Sequence, residues 1–356
     1  MGSPALMFDI PRATWLPLAV LSALGVSCAA NSRPLRESAS GDDMAVRDVG
    51  SFYAGGHSVH LTDLPQRPRI RRADAQPETV DPNGDFESGQ IYVQYVRLAR
   101  PRSRYPILLW PGGSVTGVTF ETTPDGRPGW QLLFLRDGYS VYTVDTSQAG
   151  RAPWARFPEV NPDEPVFRTK AFLWEVFRIG PEGSYAARKS YDQGRFPVTA
   201  FDEFAKQAAP RFRMNPDAER EAYDALIAKV CPCILLTHSA AGSFGLEAAR
   251  NHPDAIKALI SVEPSSAPLG GNLPARVPHL FVWGDHLDLE RASGSWAKQY
   301  DGARRYHEAL LAAGAKSTWL SLPELGIHGN SHMLMMDDNS DDVQERIHRW
   351  LEANVR

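Results

Sequence analysis

A serine between a buried strand and a helix constrains this chain more than any other feature. The apolar run Cys233-Ile-Leu-Leu predicts a strand without an exposed face, and residues 241–250, Ala-Gly-Ser-Phe-Gly-Leu-Glu-Ala-Ala-Arg, predict a helix. Ser239 lies between them with small neighbours, which is the pattern of a sharp strand-to-helix turn that raises a nucleophilic hydroxyl above a parallel sheet. Thr237 and Ala241 stand where that motif usually has glycine. These residues alone therefore also fit an ordinary buried serine at a strand–helix junction.

Acidic residues follow two predicted strands downstream of this serine. The strand 257–263 ends in Glu263, and the strand 278–283 leads into a loop that contains Asp285 and Asp288. A serine nucleophile needs a histidine to accept its proton and a carboxylate to orient that histidine. Because the carboxyl ends of parallel strands meet at one sheet edge, either acidic group is placed to serve. The pattern alone favours an acid in the loop after the later strand, and both Glu263 and Asp288 remain candidates for the carboxylate that orients the histidine.

Two histidines lie in the loop that follows the predicted strand at Ser317. Their spacing resembles a zinc-binding helix, but Gly329 and Asn330 disfavour a helix there, and we predict no metal site. Both His328 and His332 suit the role of general base. We favour His332, which precedes the apolar run 333–336, and regard His328 as a loop histidine with a structural partner. His238, beside the serine, is expected to point off the opposite side of the turn.

A glycine loop upstream supplies the remaining element of a hydrolytic site. The apolar run 106–110 predicts a strand that leads into Pro-Gly-Gly-Ser-Val-Thr-Gly at positions 111–117. A tetrahedral intermediate needs two backbone N–H donors, one from the residue after the nucleophile and one from such a loop. We predict Ala240 and Gly113 as these donors.

With these residues in place, the chain resembles bacterial secreted esterases of the α/β-hydrolase superfamily that use a Ser-Glu-His triad. The resemblance covers essentially everything after about residue 48. The matching segments are Gly50–Gly56, Asp81–Gly84, Gln90–Tyr95, Thr116–Gly117, Glu121–Arg127, Arg195–Val198, Ser261–Pro264, Gly284–His286 and His328–Met333.

The resemblance implies a fold and a role for each candidate residue. The fold is α/β-hydrolase: a mostly parallel sheet flanked by helices, with a β-rich N-terminal segment and a helical cap insertion. Ser239 is the nucleophile, Glu263 the acid and His332 the base, with Gly113 and Ala240 as oxyanion-hole donors. The chain departs from the family at Gly113 and Ser114, where members carry adjacent cysteines, and at Pro111, where they carry a histidine.

Composition agrees with a soluble enzyme. The chain has 356 residues, of which 43% are hydrophobic and 22% charged, enough for one large core with an insertion. Its net charge of −4 gives no electrostatic footprint for nucleic acid. We predict a small-molecule ester as substrate, no nucleic-acid partner and no cofactor. Nothing in the sequence indicates an oligomeric state.

The chain divides into five parts. Residues 1–29 predict a secretory signal, because the apolar stretch 15–26 is too short to span a membrane and small residues follow it. This predicts a secreted or periplasmic protein, with a lipoprotein attached through Cys28 or a plain apolar tail as alternatives. Residues 30–48 are a flexible lead-in, and 49–149 hold the β-rich part and the first half of the core. Residues 150–215 are an aromatic-rich cap, and 216–356 the second half of the core.

Two further interpretations concern the thiols and the reaction. Cys231 and Cys233 are predicted as buried free thiols, because Pro232 between them disfavours a bridge. The predicted activity is carboxylic-ester hydrolysis through an acyl-enzyme. Amide hydrolysis and acyl transfer on the same triad are alternatives, and a non-catalytic binding module is the alternative of a different class.

Overall fold

A computed structural model of the protein describes residues 43–213, 215–267, 272–287 and 296–355. The described residues belong to one compact unit that begins at Ser38. The predicted signal segment with Cys28, most of the predicted lead-in and Asp288 lie outside these ranges.

The described chain alternates strands and helices once it passes a β-rich beginning. The strands are β1 Val46–Ala54, β2 His57–Leu61, β3 Arg67–Arg69, β4 Glu78–Val80, β5 Gly84–Ser88, β6 Ile91–Leu98, β7 Ile107–Trp110, β8 Val141–Asp145, β9 Cys233–His238, β10 Ile256–Val262, β11 His279–Trp283 and β12 Ser317–Ser321. The helices are α1 Val118–Glu121, α2 Trp130–Arg136, α3 Lys170–Val176, α4 Phe201–Ala205, α5 Pro216–Val230, α6 Gly242–Asn251, α7 Trp296–Ala312 and α8 Ser340–Asn354.

Eight strands form one sheet in the order β1-β6-β8-β7-β9-β10-β11-β12. Strand β6 runs antiparallel to both of its neighbours, and the strands from β8 to β12 are all mutually parallel. The prediction of a mostly parallel sheet flanked by helices is confirmed. All parallel strands therefore deliver their carboxyl ends to the same edge.

Both faces of the sheet are covered, which explains the uninterrupted apolar runs that predicted its central strands. In β7, Ile107 and Leu109 join one core, whereas Leu108 and Trp110 join the core on the other face. Helices α2 and α8 cover the first face, and α5, α6 and α7 cover the second. Close packing on two sides makes the strand ends a rigid platform for side chains.

The prediction of free thiols was wrong. Cys231 and Cys233 form a disulfide, with Cα atoms 4.3 Å apart. Side chains two residues apart in an extended segment lie on the same face, and here this proximity outweighs the intervening proline. Disulfides are typical of proteins that mature in an oxidising compartment.

The segment 150–215 contains less helix than its aromatic content suggested. It holds α3, α4 and single helical turns at Tyr185–Ala187 and Val198–Ala200, and loops make up the rest. Its aromatic rings pack on one another: Trp174 lies 5.1 Å from Phe201, centroid to centroid. No helix within the described ranges is long and apolar enough to cross a membrane.

Candidate active site

The polar residues predicted from strand ends lie along one edge of the sheet. Ser239 follows β9, Glu263 follows β10, and His332 lies in the loop after β12. Gly113 lies in the loop after β7, the strand that pairs with β9. The parallel pairing of these strands thus collects groups that are far apart in sequence.

Ser239 occupies a sharp turn of left-handed backbone, with φ of 53°. A non-glycine residue in this region is uncommon and marks a functional or strained position. The Ser239 carbonyl accepts a hydrogen bond of 3.0 Å from the Ser265 amide, which fixes the turn to the loop after β10. Ser239 itself is 8% exposed.

The close approach of strand and helix at this turn depends on glycines displaced from their usual positions. A Cβ added to Gly245 would lie 2.6 Å from Cγ2 of Thr237. A Cβ added to Gly242 would lie 2.4 Å from Cβ of Pro264. Glycine on the helix therefore makes room for Thr237 on the strand, which explains why the motif has no glycine at position 237.

Glu263 and His332 form a buried hydrogen-bonded pair. Oε2 of Glu263 accepts a hydrogen bond of 2.8 Å from Nδ1 of His332, and both side chains are almost fully buried. The His332 amide donates to the carbonyl of Phe177 at 2.9 Å, and its ring packs 4.2 Å from that of Trp296, centroid to centroid. A carboxylate on Nδ1 holds the imidazole in the tautomer that leaves Nε2 to act as a base.

A buried arginine behind this pair was missing from our sequence analysis. Nη2 of Arg178 donates to both carboxylate oxygens of Glu263 at 2.6 Å, and its Nε donates to the Asp285 carbonyl at 2.8 Å. The guanidinium also packs over the Trp296 ring at 4.8 Å. Arg178 lies two residues after α3, in the predicted cap, so this segment contributes directly to the candidate site.

The charge of Arg178 decides the ionisation of Glu263. Burial alone would raise the pKa of this carboxyl, but the nearby guanidinium and the hydrogen bond from His332 lower it to about 2. Glu263 is therefore ionised throughout the physiological range, as a group that stabilises an imidazolium must be.

The competing acid and base candidates pair with each other. Oδ2 of Asp285 accepts hydrogen bonds from the Gly329 amide at 2.9 Å and from Nδ1 of the exposed His328 at 3.2 Å. Burial alone would raise the pKa of Asp285, but hydrogen bonds from the Gly329 and His286 amides lower it. His328 thus has the structural partner that we expected, and it faces a different carboxylate from His332, so the two histidines do not converge on one site.

His238 lies against the catalytic edge rather than away from it, which corrects our expectation. Its Nε2 donates to the His332 carbonyl at 3.0 Å, and the two rings lie 4.6 Å apart, centroid to centroid. Burial lowers the pKa of His238 to about 3, so the ring is neutral and supports the His332 loop as a hydrogen-bond donor. The parallel register of β9 and β10 places His238 opposite Val262, inside the sheet.

A second buried carboxyl holds the loop that carries His332. Asp337 accepts hydrogen bonds from the Ser331 hydroxyl at 2.7 Å, the Ser331 amide at 2.8 Å and the Asn330 side chain at 2.9 Å. Burial raises the pKa of Asp337 to about 7 although these donors oppose the rise. The position of His332 is therefore set by contacts on both sides of it in the chain.

The glycine loop packs directly on the serine turn. A Cβ added to Gly112 would lie 2.7 Å from Cβ of Ser239, and one added to Gly113 would lie 3.5 Å from Cβ of Ala240. Ser114 continues the loop in left-handed backbone, with φ of 65°. Glycine at 112 is what allows the two loops to approach so closely, whereas a Cβ at 113 would make an ordinary contact with Ala240.

A cavity of about 440 Å³ opens beside these loops. Gly112, Gly113 and Ala240 form part of its wall, and residues of the segment 150–215 form another part. This volume lies within the range of small-molecule sites.

Comparison with known proteins agrees with this architecture. A solved bacterial esterase is 32% identical in sequence, covers 90% of this chain and 100% of its own, and superimposes with a TM-score of 0.76. A fungal protein (Fungal sp., strain ATCC 74256) named "probable secreted lipase phiG" is 26% identical, over 76% of this chain and 87% of that protein. No protein-family model matches the chain. The likeness to the bacterial esterase, over its whole length and at this identity, shows that the chain belongs to the α/β-hydrolase esterase family.

Proposed function

We propose that this protein hydrolyses carboxylic esters through a triad of Ser239, His332 and Glu263 and an acyl-enzyme intermediate. The observation on which the proposal depends is the buried hydrogen bond of 2.8 Å between Glu263 and His332, at the edge where β9 ends in the left-handed Ser239. The family membership supports ester hydrolysis in general, and the residue roles are our inference.

The reaction follows from the groups at this edge. Oγ of Ser239 bonds to the ester carbonyl carbon while His332 takes the hydroxyl proton, and the carbonyl electron pair moves to its oxygen. The Gly113 and Ala240 amides bind that oxyanion. When the bond to the alcohol breaks, His332 returns the proton to the departing oxygen. Water then attacks the acyl-serine by the same route and releases the acid and free Ser239.

Glu263 and Arg178 act on the histidine rather than on the ester. Glu263 orients the imidazole and balances its positive charge when it is protonated. Arg178 is a positioning residue, because its contacts to Glu263 and to the Asp285 carbonyl hold the carboxylate on the side of His332.

Covalent labelling tests the nucleophile. A fluorophosphonate probe should label one serine of the wild-type protein and abolish hydrolysis of p-nitrophenyl esters. Ser239→Ala should abolish labelling and lower kcat by about 10⁴–10⁶-fold. Ser266→Ala, which removes an exposed hydroxyl three residues after Glu263, is the matched control and should label as the wild type does.

Two results would contradict the proposal in different ways. Labelling that persists in Ser239→Ala would place the nucleophile elsewhere. A wild-type protein that is neither labelled nor active on esters would instead favour a non-catalytic binding module. Activity on matched anilides, or transfer of the acyl group to added alcohols, would identify the amidase and acyltransferase alternatives.

We also propose that the protein is exported. The Cys231–Cys233 disulfide supports maturation outside the cytoplasm, and the fungal relative is named as a secreted protein. The apolar stretch at residues 15–26 is the sequence feature expected to direct export.

A further inference from the structure

The wall of the 440 Å³ cavity contains an arginine that reaches the proposed oxyanion loop. A Cβ added to Gly113 would lie 2.2 Å from Nη1 of Arg211 and 2.9 Å from its Cζ. The guanidinium therefore occupies the space that a side chain at 113 would fill, in contact with the backbone whose N–H is the proposed oxyanion donor. If the carbonyl oxygen of an ester binds to the Gly113 amide, the guanidinium lies close enough to contact a group that is a few bonds away from that carbonyl within the ester.

Backbone pairing holds Arg211 in this position. The Arg211 amide donates to the Val166 carbonyl at 3.0 Å, and the Val166 amide donates back to Arg211 at 2.8 Å. Two residues earlier, the Ala209 amide donates to the carbonyl of Ser114 at 3.1 Å. The segment that carries Arg211 is thus attached to the proposed oxyanion loop itself, and a fixed donor loses less freedom on binding than a mobile one.

The cavity wall contains charged groups of both signs. Arg213 and Asp163 are exposed, where solvent and salt screen them. Glu219, at the start of α5, is the buried acidic group of the cavity wall. Burial raises its pKa to about 7 despite the opposing charge of Arg211, so at neutral pH it carries only part of a negative charge. Burial lowers the pKa of Arg211, but an arginine remains protonated in proteins.

The rest of the lining combines polar and apolar groups. Hydroxyl, amide and imidazole groups line the cavity, namely His57, Ser88, Thr146, Ser147, Gln148, Asn161 and Asn215. Apolar side chains, among them Val160, Phe212 and Phe244, share the wall with them, so the cavity also offers apolar surface for the carbon skeleton of a small ester.

We infer that Arg211 binds an anionic group of the substrate, so that the preferred esters carry a carboxylate a few bonds from the scissile carbonyl. This inference rests on the proposed ester hydrolysis and names its substrate class. A planar guanidinium binds a carboxylate through two parallel hydrogen bonds, which gives both orientation and affinity. The carboxylate belongs either to the acyl part, as in the half-ester of a short dicarboxylic acid, or to the alcohol part, as in an acylated hydroxy acid.

Two pairs of isosteric esters separate these possibilities. Monoethyl glutarate carries the carboxylate on the acyl side, and ethyl 5-methylhexanoate replaces it with an isopropyl group. Acetoxyacetate carries it on the alcohol side, and isobutyl acetate is its neutral match. Initial rates from a pH-stat at neutral pH give kcat/KM for each ester with the wild type, Arg211→Gln and Arg276→Gln. Arg276 is 85% exposed, with its nearest acidic partner, Asp254, 3.9 Å away, and serves as the control.

The wild type should prefer the anionic member of at least one pair by about tenfold to a hundredfold, as expected for a charge-assisted hydrogen bond. The pair that shows the preference identifies the side that carries the carboxylate. Arg211→Gln should lose the preference, and Arg276→Gln should keep it.

Other outcomes overturn the inference. A wild type that hydrolyses the neutral esters as well as the anionic ones refutes it and leaves the proposed esterase activity intact. An Arg211→Gln that slows both members of a pair equally assigns Arg211 to the oxyanion or to the fold. A protein that hydrolyses p-nitrophenyl esters but none of these four contradicts the inference alone, and a protein that hydrolyses neither kind contradicts both proposals. Because the wild-type preference is measured independently, the inference stays testable even if Arg211→Gln does not fold.

Discussion

Replacing Arg178 with methionine should lower the free energy of unfolding by about 3–5 kcal/mol, because it leaves the carboxylate of Glu263 buried without its main counter-charge. Both side chains of this ion pair are 0% exposed. The ionisation of Glu263 reflects the sum of this interaction, the contact with His332 and the opposing cost of burial. Its pKa lies at about 2 in place of 4.5, which corresponds to about 3 kcal/mol of stabilisation of the charged form.

A double-mutant cycle separates this loss from ordinary damage to packing. Glu263→Gln leaves the Arg178 charge buried and unbalanced, so it should also destabilise the fold. The double variant Arg178→Met/Glu263→Gln removes both charges and should cost about 2–3 kcal/mol less than the sum of the single changes. Urea unfolding at neutral pH measures all four proteins. Arg349→Met, which breaks a largely exposed pair with Glu345, should cost less than about 1 kcal/mol.

The pH dependence of the difference follows from the direction of the shift. The folded-state pKa of Glu263 is depressed, so its contribution is complete above pH 4.5 and is lost as the pH falls towards about 2. The difference in stability between wild type and Arg178→Met should therefore narrow through this range. The reasoning is refuted if Arg178→Met costs no more than Arg349→Met, or if the costs in the cycle simply add.

Three further outcomes are expected. Glu263→Gln should lower kcat for p-nitrophenyl esters by about 10⁴-fold, the loss seen when the triad carboxylate becomes an amide in serine proteases. In the same assay, kcat of Asp285→Asn should stay within about tenfold of the wild-type value. The reverse result would move the triad acid to the loop after β11. A thiol reagent should leave Cys231 and Cys233 unlabelled in the denatured, unreduced protein, and changing both to serine should cost only about 1–2 kcal/mol in urea unfolding, because the ring that they close is short. N-terminal sequencing of protein exported by a Gram-negative host should begin near residue 30, and active cytoplasmic protein that retains its initiator methionine would contradict export.

The residues of the candidate site could be predicted from the sequence because they follow strands that are buried on both faces. Ser239 and Glu263 come directly after the buried strands β9 and β10, and parallel pairing then places them at one edge. The pattern did not decide between Glu263 and the Asp285 loop, because both follow a buried strand. Hydrogen bonding separates them in the folded chain: Asp285 is occupied by His328 and the Gly329 amide, whereas Glu263 contacts His332.

The positions of Arg178 and Arg211 in the site could not be predicted from the sequence, because the residues that they contact are remote along the chain. Arg178 lies 85 positions before Glu263, in a stretch that we read only as aromatic. Arg211 follows a proline in a loop and shows no periodicity. The signal for Arg178 was indirect: a buried carboxylate needs a partner, and a charged residue within an apolar, aromatic segment is a candidate for that partner.

The position of these arginines limits what the segment 150–215 can do. Its backbone is hydrogen-bonded to the loops of the candidate site at three places. The Phe177 carbonyl accepts from the His332 amide, and the Arg195 amide donates to the Gly329 carbonyl. The Ala209 amide donates to the Ser114 carbonyl. A lid that swung open as one body would break all three contacts and would separate Arg178 from Glu263. The segment is therefore better described as part of the catalytic framework than as a gate. The cavity beside Gly113 belongs to the same framework, because residues of the segment 150–215 form part of its wall.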